Sequence, residues 1–199
     1  MIIFILTNVR MDTQLITSIA MGIALSACCG FRIFIPMLGG SIAAYMQWYT
    51  LPADMQWMGT MPVMIAFGTA AILELAAYYI PFIDNLLDTI ATPLAIGAGT
   101  ILAASFLPFA EFSPFVKWVL AFISGGAAAG SVQLGTGLLR LASSKTTAGA
   151  GNVVIATGEN LAAIVGTALS FLIPVVIAVL MILLIGWILI KGISRLKRS

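Results

Sequence analysis

Two glutamates in long apolar stretches are the residues of this chain most able to do chemistry. Glu74 begins the run Glu-Leu-Ala-Ala, and Glu159 begins the similar run Glu-Asn-Leu-Ala-Ala. A charged side chain at the centre of a membrane helix costs about 2.5 kcal/mol or more, so it usually faces a partner or a wet cavity. The pair therefore predicts a site for an ion, a proton or a small solute. The plainer interpretation is that the two carboxylates only fasten helices together.

Arg32 joins the two glutamates in the predicted substrate-binding or ion-binding set. Arg32 is the only charged residue between positions 13 and 45, and it stands beside Gly30. We expect it to neutralise one of the carboxylates or to hold an anionic group near a helix break. A purely structural counter-ion would also lie next to an acid, so both interpretations stay open.

Asp84 and Asp88 have the spacing of a divalent metal pair. Residues four apart lie on one face of a helix, and carboxylates are the ligands that Mg²⁺ prefers. The alternative is an exposed helix start whose acids complement the helix dipole. No complete motif of a magnesium-dependent transferase accompanies the pair, and the chain has no histidine, the commonest general base. The sequence therefore predicts neither an enzyme nor a cofactor.

The composition predicts an integral membrane protein. Hydrophobic residues make up 61% of the 199 residues and charged residues 8%, against about 25% charged in soluble domains. The mean hydropathy is +1.14. At ~20 residues per span, one membrane domain of residues 1–199 has room for about six transmembrane helices. The lipid bilayer is the expected partner, and nothing indicates nucleic acid.

The order of segments predicts an all-α fold of two inverted three-helix repeats, residues 11–110 and 111–198. Each repeat would contain a glycine-broken helix, a glutamate helix and a plain helix, as in many secondary transporters. The first break is predicted at Gly30, and the second at Gly125, Gly126, Gly135 and Gly137. Residues 152–190 hold one long span or two, and a turn near Pro174 favours two.

Basic residues follow the last apolar segment, at Lys191, Arg195, Lys197 and Arg198. Cytoplasmic flanks are enriched in Lys and Arg. We therefore expect the inner membrane of a bacterium, with a cytoplasmic C-terminus and, after six crossings, a cytoplasmic N-terminus. Gly126 and Gly130 form a small-xxx-small pattern that predicts close helix packing, either inside the bundle or in a homodimer.

Three stretches of the chain resemble an uncharacterised bacterial integral-membrane family, the DUF4126-like domain of unknown function. They are residues 30–36, residues 74–95, and residues 151–163, which contain Gly158-Glu159-Asn-Leu-Ala-Ala. The resemblance implies a membrane bundle in which Glu74, Asp84, Asp88, Asn152 and Glu159 matter, and it implies no agreed activity. It adds Asn152 to the predicted substrate-binding or ion-binding set. Tyr78 and Tyr79 depart from the family, which has an acidic and basic pair there, and Arg32 stands where a neutral residue is frequent.

The predicted function is a small membrane transporter or channel for an ion or small polar solute, using the buried carboxylates at the repeat interface. The alternative is a structural or assembly protein whose polar residues only join helices. A magnesium-dependent membrane transferase using Asp84 and Asp88 is a third, less favoured interpretation.

Overall fold

The computed structural model describes residues 2–108, 112–147 and 149–196, without the side chains of residues 2–12, 81–86, 88, 89, 193, 195 and 196. All regular structure in these ranges is helical. The α-helices are α1 (Ile2–Cys28), α2 (Phe34–Tyr45), α3 (Met61–Ala77), α4 (Pro81–Phe106), α5 (Pro114–Ala121), α6 (Ala127–Thr147), α7 (Asn152–Leu172) and α8 (Pro174–Leu196). A 3₁₀ helix (Ala53–Gly59) precedes α3, and a π-helical turn (Phe122–Gly126) joins α5 to α6.

Prolines mark where several helices begin. Pro62, Pro81 and Pro114 occupy the first turn of α3, α4 and α5, where the missing amide hydrogen costs nothing. Pro174 opens α8 two positions after α7 ends at Leu172, with Ile173 between the two helices. Because the residue before a proline avoids helical geometry, the segment 152–190 forms two helices, as the turn near Pro174 predicted.

Helices α1 and α2 form a hairpin, since the chain turns back between Cys28 and Phe34. Gly30 packs at the turn so closely that a Cβ there would lie 2.5 Å from both the Ala129 oxygen and the Val132 Cβ. No side chain other than hydrogen fits this approach. Ala129 and Val132 lie near the middle of the 34-residue helix Pro114–Thr147. The tip of the hairpin, residues 29–34, therefore lies inside the bundle and not at its surface.

Contacts at the open side of the hairpin define one end of the bundle. Tyr49, which follows α2, hydrogen-bonds through its hydroxyl to Ser18 in α1. At the same end the buried Lys117 ammonium donates to both oxygens of Asp54, at 2.7 and 2.6 Å. We call this the Asp54 end. The opposite end, where α6 and α8 finish, is the Lys191 end.

Helix α1 begins and helix α8 finishes at opposite ends of the bundle. Ser26 of α1 donates to the Gly99 oxygen of α4 at 2.9 Å, while Gly22 of α1 packs against Leu107, just beyond α4. Helix α1 thus runs antiparallel to α4, from the Asp54 end inward. Helix α8 finishes at the Lys191 end. The prediction that both termini share one side does not fit this arrangement.

Three helices are long and apolar enough to cross a membrane: Pro114–Thr147, Asn152–Leu172 and Pro174–Gly192. A fourth is added if the 3₁₀ helix and α3, which are bent by 61°, count as one span. Shorter apolar helices occupy Thr13–Cys28, Phe34–Tyr45 and Ile90–Phe106. The described chain thus has the character of an α-helical membrane protein, with three or four such spans where six were expected.

The helix directions do not match the predicted inverted repeats. Gly125 and Gly130 pack against Gly99 and Ile96 respectively, so the α5–α6 helix runs antiparallel to α4 and parallel to α1. The glutamate helices α3 and α7, in contrast, run in opposite directions. Glu74 lies near the end of α3 and Glu159 in the first half of α7, and both carboxylates reach the hairpin tip. A single inversion would reverse both pairs. The halves 11–110 and 111–198 are therefore not related in this way.

At the second predicted glycine break the helix is continuous in the structure. Gly125 and Gly126 lie in the π-helical turn, which widens the helix locally without interrupting it. Helix α6 then continues through Gly135 and Gly137, so the prediction of a break there is wrong. A Cβ at Gly135 would lie 2.7 Å from Ile188 Cδ1. This glycine provides close packing with α8.

The small-residue face of α6 is covered within the chain. A Cβ at Gly126 would lie 2.6 Å from Thr100 Oγ1, and one at Gly130 would lie 2.8 Å from Ile96 Cγ1. Both glycines therefore let α6 approach α4 of the same molecule. Of the two alternatives for Gly126 and Gly130, the structure thus has the packing inside the bundle, and a homodimer contact through them would find this face already occupied.

Candidate functional site

Glu74 caps the start of α2 from a different helix. Its Oε1 accepts the Ile33 amide hydrogen at 2.8 Å, and its Oε2 accepts the Phe34 amide hydrogen at 2.9 Å. The first amides of a helix have no partner within the helix, and a negative charge there complements the helix dipole. The Glu74 side chain is buried. It thus fastens the hairpin tip to α3.

Glu159 binds two arginines, Arg32 of the hairpin tip and Arg140 of α6. Arg32 Nη1 lies 2.8 Å from Glu159 Oε2. Arg140 donates from Nε to Glu159 Oε1 at 3.2 Å and from Nη2 to Oε2. All three side chains are buried, with Arg32 only 1% exposed. Such hydrogen-bonded ion pairs are the form in which charges are tolerated in a low-dielectric interior.

The Arg32 guanidinium makes further hydrogen bonds to main-chain and side-chain oxygens. Its Nε donates to Asn160 Oδ1 at 2.5 Å and its Nη2 to the Ala156 oxygen at 3.2 Å. Its Nη1 also donates to the Phe31 oxygen at 2.9 Å. Helix α7 thus supplies most of the acceptors, and Arg32 joins the hairpin to that helix.

Two tyrosines complete the cluster. The Arg32 and Arg140 Cζ atoms lie 3.8 and 4.3 Å from the centroid of the Tyr78 ring, which is cation–π distance. The Asn160 amide donates to the Tyr79 hydroxyl at 3.2 Å. Of the two tyrosines at which the sequence departs from the resembled family, Tyr78 therefore contacts both buried guanidiniums, and Tyr79 contacts Asn160, a partner of Arg32.

The inner face of α7 consists of residues that are either small or polar. Its buried residues are Ala156, Glu159, Asn160, Ala163, Gly166, Thr167 and Ser170. Its large apolar residues, such as Leu161 and Val165, face outward. This arrangement places hydrogen-bonding groups in the interior and hydrocarbon toward lipid.

Thr167 is unusual on this face because its buried Oγ1 makes no hydrogen bond of normal geometry among the described residues, although the buried Cys28 thiol is a neighbour. Its methyl group faces α2, where a Cβ at Gly39 would lie 2.5 Å from Thr167 Cγ2. An unpartnered buried hydroxyl is costly. Ser170, one turn further, instead donates to the Gly166 oxygen at 2.6 Å.

Two pockets lie near the hairpin. One, of about 250 Å³, is apolar and touches Glu74 between α3 and α4, with Leu73, Ile90 and Leu94 among its walls. The other, of about 370 Å³, lies beyond the end of α2 at the Asp54 end. Its walls include the polar side chains of Gln47, Tyr49, Thr50 and Gln56.

A match to the domain of unknown function DUF4126 covers residues 19–192. The chain belongs to the DUF4126 family. No curated protein and no solved structure matches it. The matched range includes the hairpin tip, Glu74, Arg140 and Glu159, so the whole charged cluster lies inside the DUF4126 domain.

The structure brings together three of the four residues predicted to bind substrate or ion in this DUF4126 protein. Arg32 is part of the hairpin tip, and Glu74 and Glu159 both bind to the tip. Asn152 does not, because its amide donates to Ser144 Oγ at 2.9 Å, near the Lys191 end. The side chains of Asp84 and Asp88 lie outside the described residues. The part of the chain that is described has no group of three or more side chains able to hold a metal ion.

Sequence reasoning missed Arg140, Asn160, Tyr78 and Thr167. Arg140 lies on the buried face of α6 together with Gln133. The seven-residue spacing of these two polar residues was a usable signal, since it places both on one helix face. Tyr78 stood out only as a departure from the resembled family, and nothing in its sequence context indicated that it packs on two arginines.

Proposed function

We propose that this DUF4126 protein is a small membrane transporter or channel, which moves an ion or small polar solute along the seam between the α1–α2 hairpin and α7. The observation that carries the proposal is the inner face of α7, which buries Glu159, Asn160, Thr167 and Ser170 and leaves the Thr167 hydroxyl without a hydrogen bond of normal geometry. Non-helical backbone at membrane depth is found where it is buried in protein or lines a cavity. Transporter sites likewise lie beside discontinuous helices.

The charged cluster serves in this proposal as the lock of a closed state. Glu74 holds the first amides of α2, and Glu159 holds Arg32, so the tip is fixed from two sides. Movement of α2 relative to α7 would require these bonds to separate. A cation or proton on a carboxylate, or an anion on the arginines, would replace the lost partner and open the seam.

The basic residues give the proposed orientation. Lys145 and Lys191 lie at the Lys191 end, and the basic sequence tail follows them. By the positive-inside rule this end faces the cytoplasm of the inner membrane. The hairpin would then enter from the outer side as a re-entrant pair, with the remaining helices crossing fully. In this proposal the re-entrant hairpin and the crossing helices take the place of the six equivalent transmembrane helices predicted from the sequence.

Flux measurements on Thr167→Val separate this function from a structural role. Valine has nearly the shape of threonine and lacks the hydroxyl, so the fold is retained. In liposomes we expect the variant to lose most of the ion or solute flux of the wild type, while its melting temperature is unchanged or higher. Thr69→Val is the matched control, because Thr69 is exposed on α3 and bonds only its own helix, to Ile65.

The second candidate is a structural or assembly protein. It is favoured by the fact that both buried carboxylates have complete sets of partners. It requires wild-type flux equal to that of empty vesicles across cations, anions and neutral solutes. The same result would contradict the transport proposal.

A further inference from the structure

A long apolar groove lies on the outer surface between α6 and α8. It has a volume of about 290 Å³ and reaches from Phe31, in the hairpin tip, to Lys191 and Gly192. Its walls are mainly apolar, with Leu139, Leu184 and Trp187 among them. Leu139 and Trp187 are exposed, so the groove is open to the lipid side of the bundle.

Glycines and an alanine give the groove its shape. Gly135 allows Ile188 of α8 to approach α6. Beyond this contact the lining residues include the small Ala142 and Gly192, and a Cβ at Gly192 would meet nothing within 4 Å. The two helices are thus in contact at Gly135 and leave free space toward the Lys191 end.

Positive charge lies at the same end of the groove on both helices. Lys191 lines the groove, and its Nζ lies 4.4 Å from the Trp187 ring centroid. Lys145 is exposed in the last turn of α6, three residues after Ala142. Tryptophan and lysine at one level are typical of the membrane interface. An apolar groove that ends at two lysines matches a molecule with an apolar chain and an anionic head.

We infer that this groove binds one anionic phospholipid, with an acyl chain between α6 and α8 and its phosphate at Lys145 and Lys191. A second copy of the chain fits less well, because a symmetric contact here would place the lysines of two molecules near each other. The site does not depend on the transport proposal. A lipid bound in the groove would nevertheless affect the proposed transporter, because its acyl chain would contact Phe31, the neighbour of Arg32.

The test is native mass spectrometry of the purified full chain after titration with phosphatidylglycerol or phosphatidylcholine of the same acyl chains. We expect one retained phosphatidylglycerol per chain and weaker retention of phosphatidylcholine. Lys145→Ala and Lys191→Ala should each reduce the preference roughly five-fold, as one lysine near a phosphate contributes. Lys191→Arg should keep it.

Filling the groove provides the second arm. Gly192→Leu should abolish retention of both lipids. Gly137→Leu is the control, because Gly137 is on α6 outside the groove and a Cβ there would meet nothing within 4 Å. Equal retention of both lipids by the wild type, or an unchanged preference in the double alanine variant, would overturn the inference. Loss of a dimer in Gly192→Leu would instead assign the groove to a second copy.

Discussion

The Arg32 guanidinium and the Glu159 carboxylate lie 2.8 Å apart although 127 residues separate them in the chain. Arg140 shares the same carboxylate. Glu159→Gln would therefore leave two buried guanidiniums without their counter-charge. We expect a loss of about 3–5 kcal/mol in unfolding free energy, the usual cost of breaking a buried ion pair. Denaturant titration in detergent micelles measures it.

A double-mutant cycle tests whether the carboxylate is truly shared. Arg140→Gln alone should also destabilise the protein, but the double variant with Glu159→Gln should lose less than the sum of the two single losses. Coupling arises because each residue is the partner of the other. Strictly additive losses would contradict the shared pair.

Glu74→Gln should be milder than Glu159→Gln. The glutamine carbonyl can still accept one of the two amide hydrogens of Ile33 and Phe34, whereas its NH₂ group cannot accept the other. Loss of one charge-assisted hydrogen bond corresponds to about 1.5–3 kcal/mol. Glu74→Leu, which loses both bonds, should cost more than Glu74→Gln in the same unfolding assay. Equal losses in the two variants would show that the cap is not the reason for burying Glu74.

The helical membrane class and three site residues followed from the sequence for a local reason. Charges are so rare in the apolar segments that Arg32, Glu74 and Glu159 were visible without any structure. Their meeting at the hairpin tip was also foreseeable, because a buried charge needs a partner. Gly30 marked the turn for an equally local reason, since two adjoining apolar stretches had to be interrupted somewhere.

Helix direction was not foreseeable in the same way. Whether α2 continues or reverses α1 depends on Gly30 packing against Ala129 and Val132, a contact about a hundred residues away in the chain. Hydropathy is the same for both arrangements. The inverted repeats and the shared side of the termini were inferred from a count of crossings, and the reversal at the tip changes that count.

Two glycines of the α5–α6 helix should respond oppositely to alanine. A Cβ at Gly125 would lie 2.2 Å from the Gly99 oxygen and 2.5 Å from Ala103 Cβ, so Gly125→Ala forces α4 and α6 apart. Overpacking of this kind costs about 1–3 kcal/mol or more. At Gly137 a Cβ would meet nothing within 4 Å, and alanine should stabilise the helix by roughly 0.5–1 kcal/mol. Thermal unfolding of both variants checks the contrast, and a neutral Gly125→Ala would contradict the packing of α6 on α4.

Thiol labelling tests the two ends of the bundle. Trp48, at the Asp54 end, is 70% exposed, and Lys145 is exposed at the other end. Cys28 and Cys29 are buried, so the wild type should react little with a membrane-impermeant maleimide. In intact cells Trp48→Cys should be labelled, and Lys145→Cys should react only after permeabilisation. The reverse labelling pattern would show the opposite orientation in the membrane, with the basic end facing outward. Labelling of both variants in intact cells would contradict the assignment of the two residues to opposite ends, and with it the path of the hairpin.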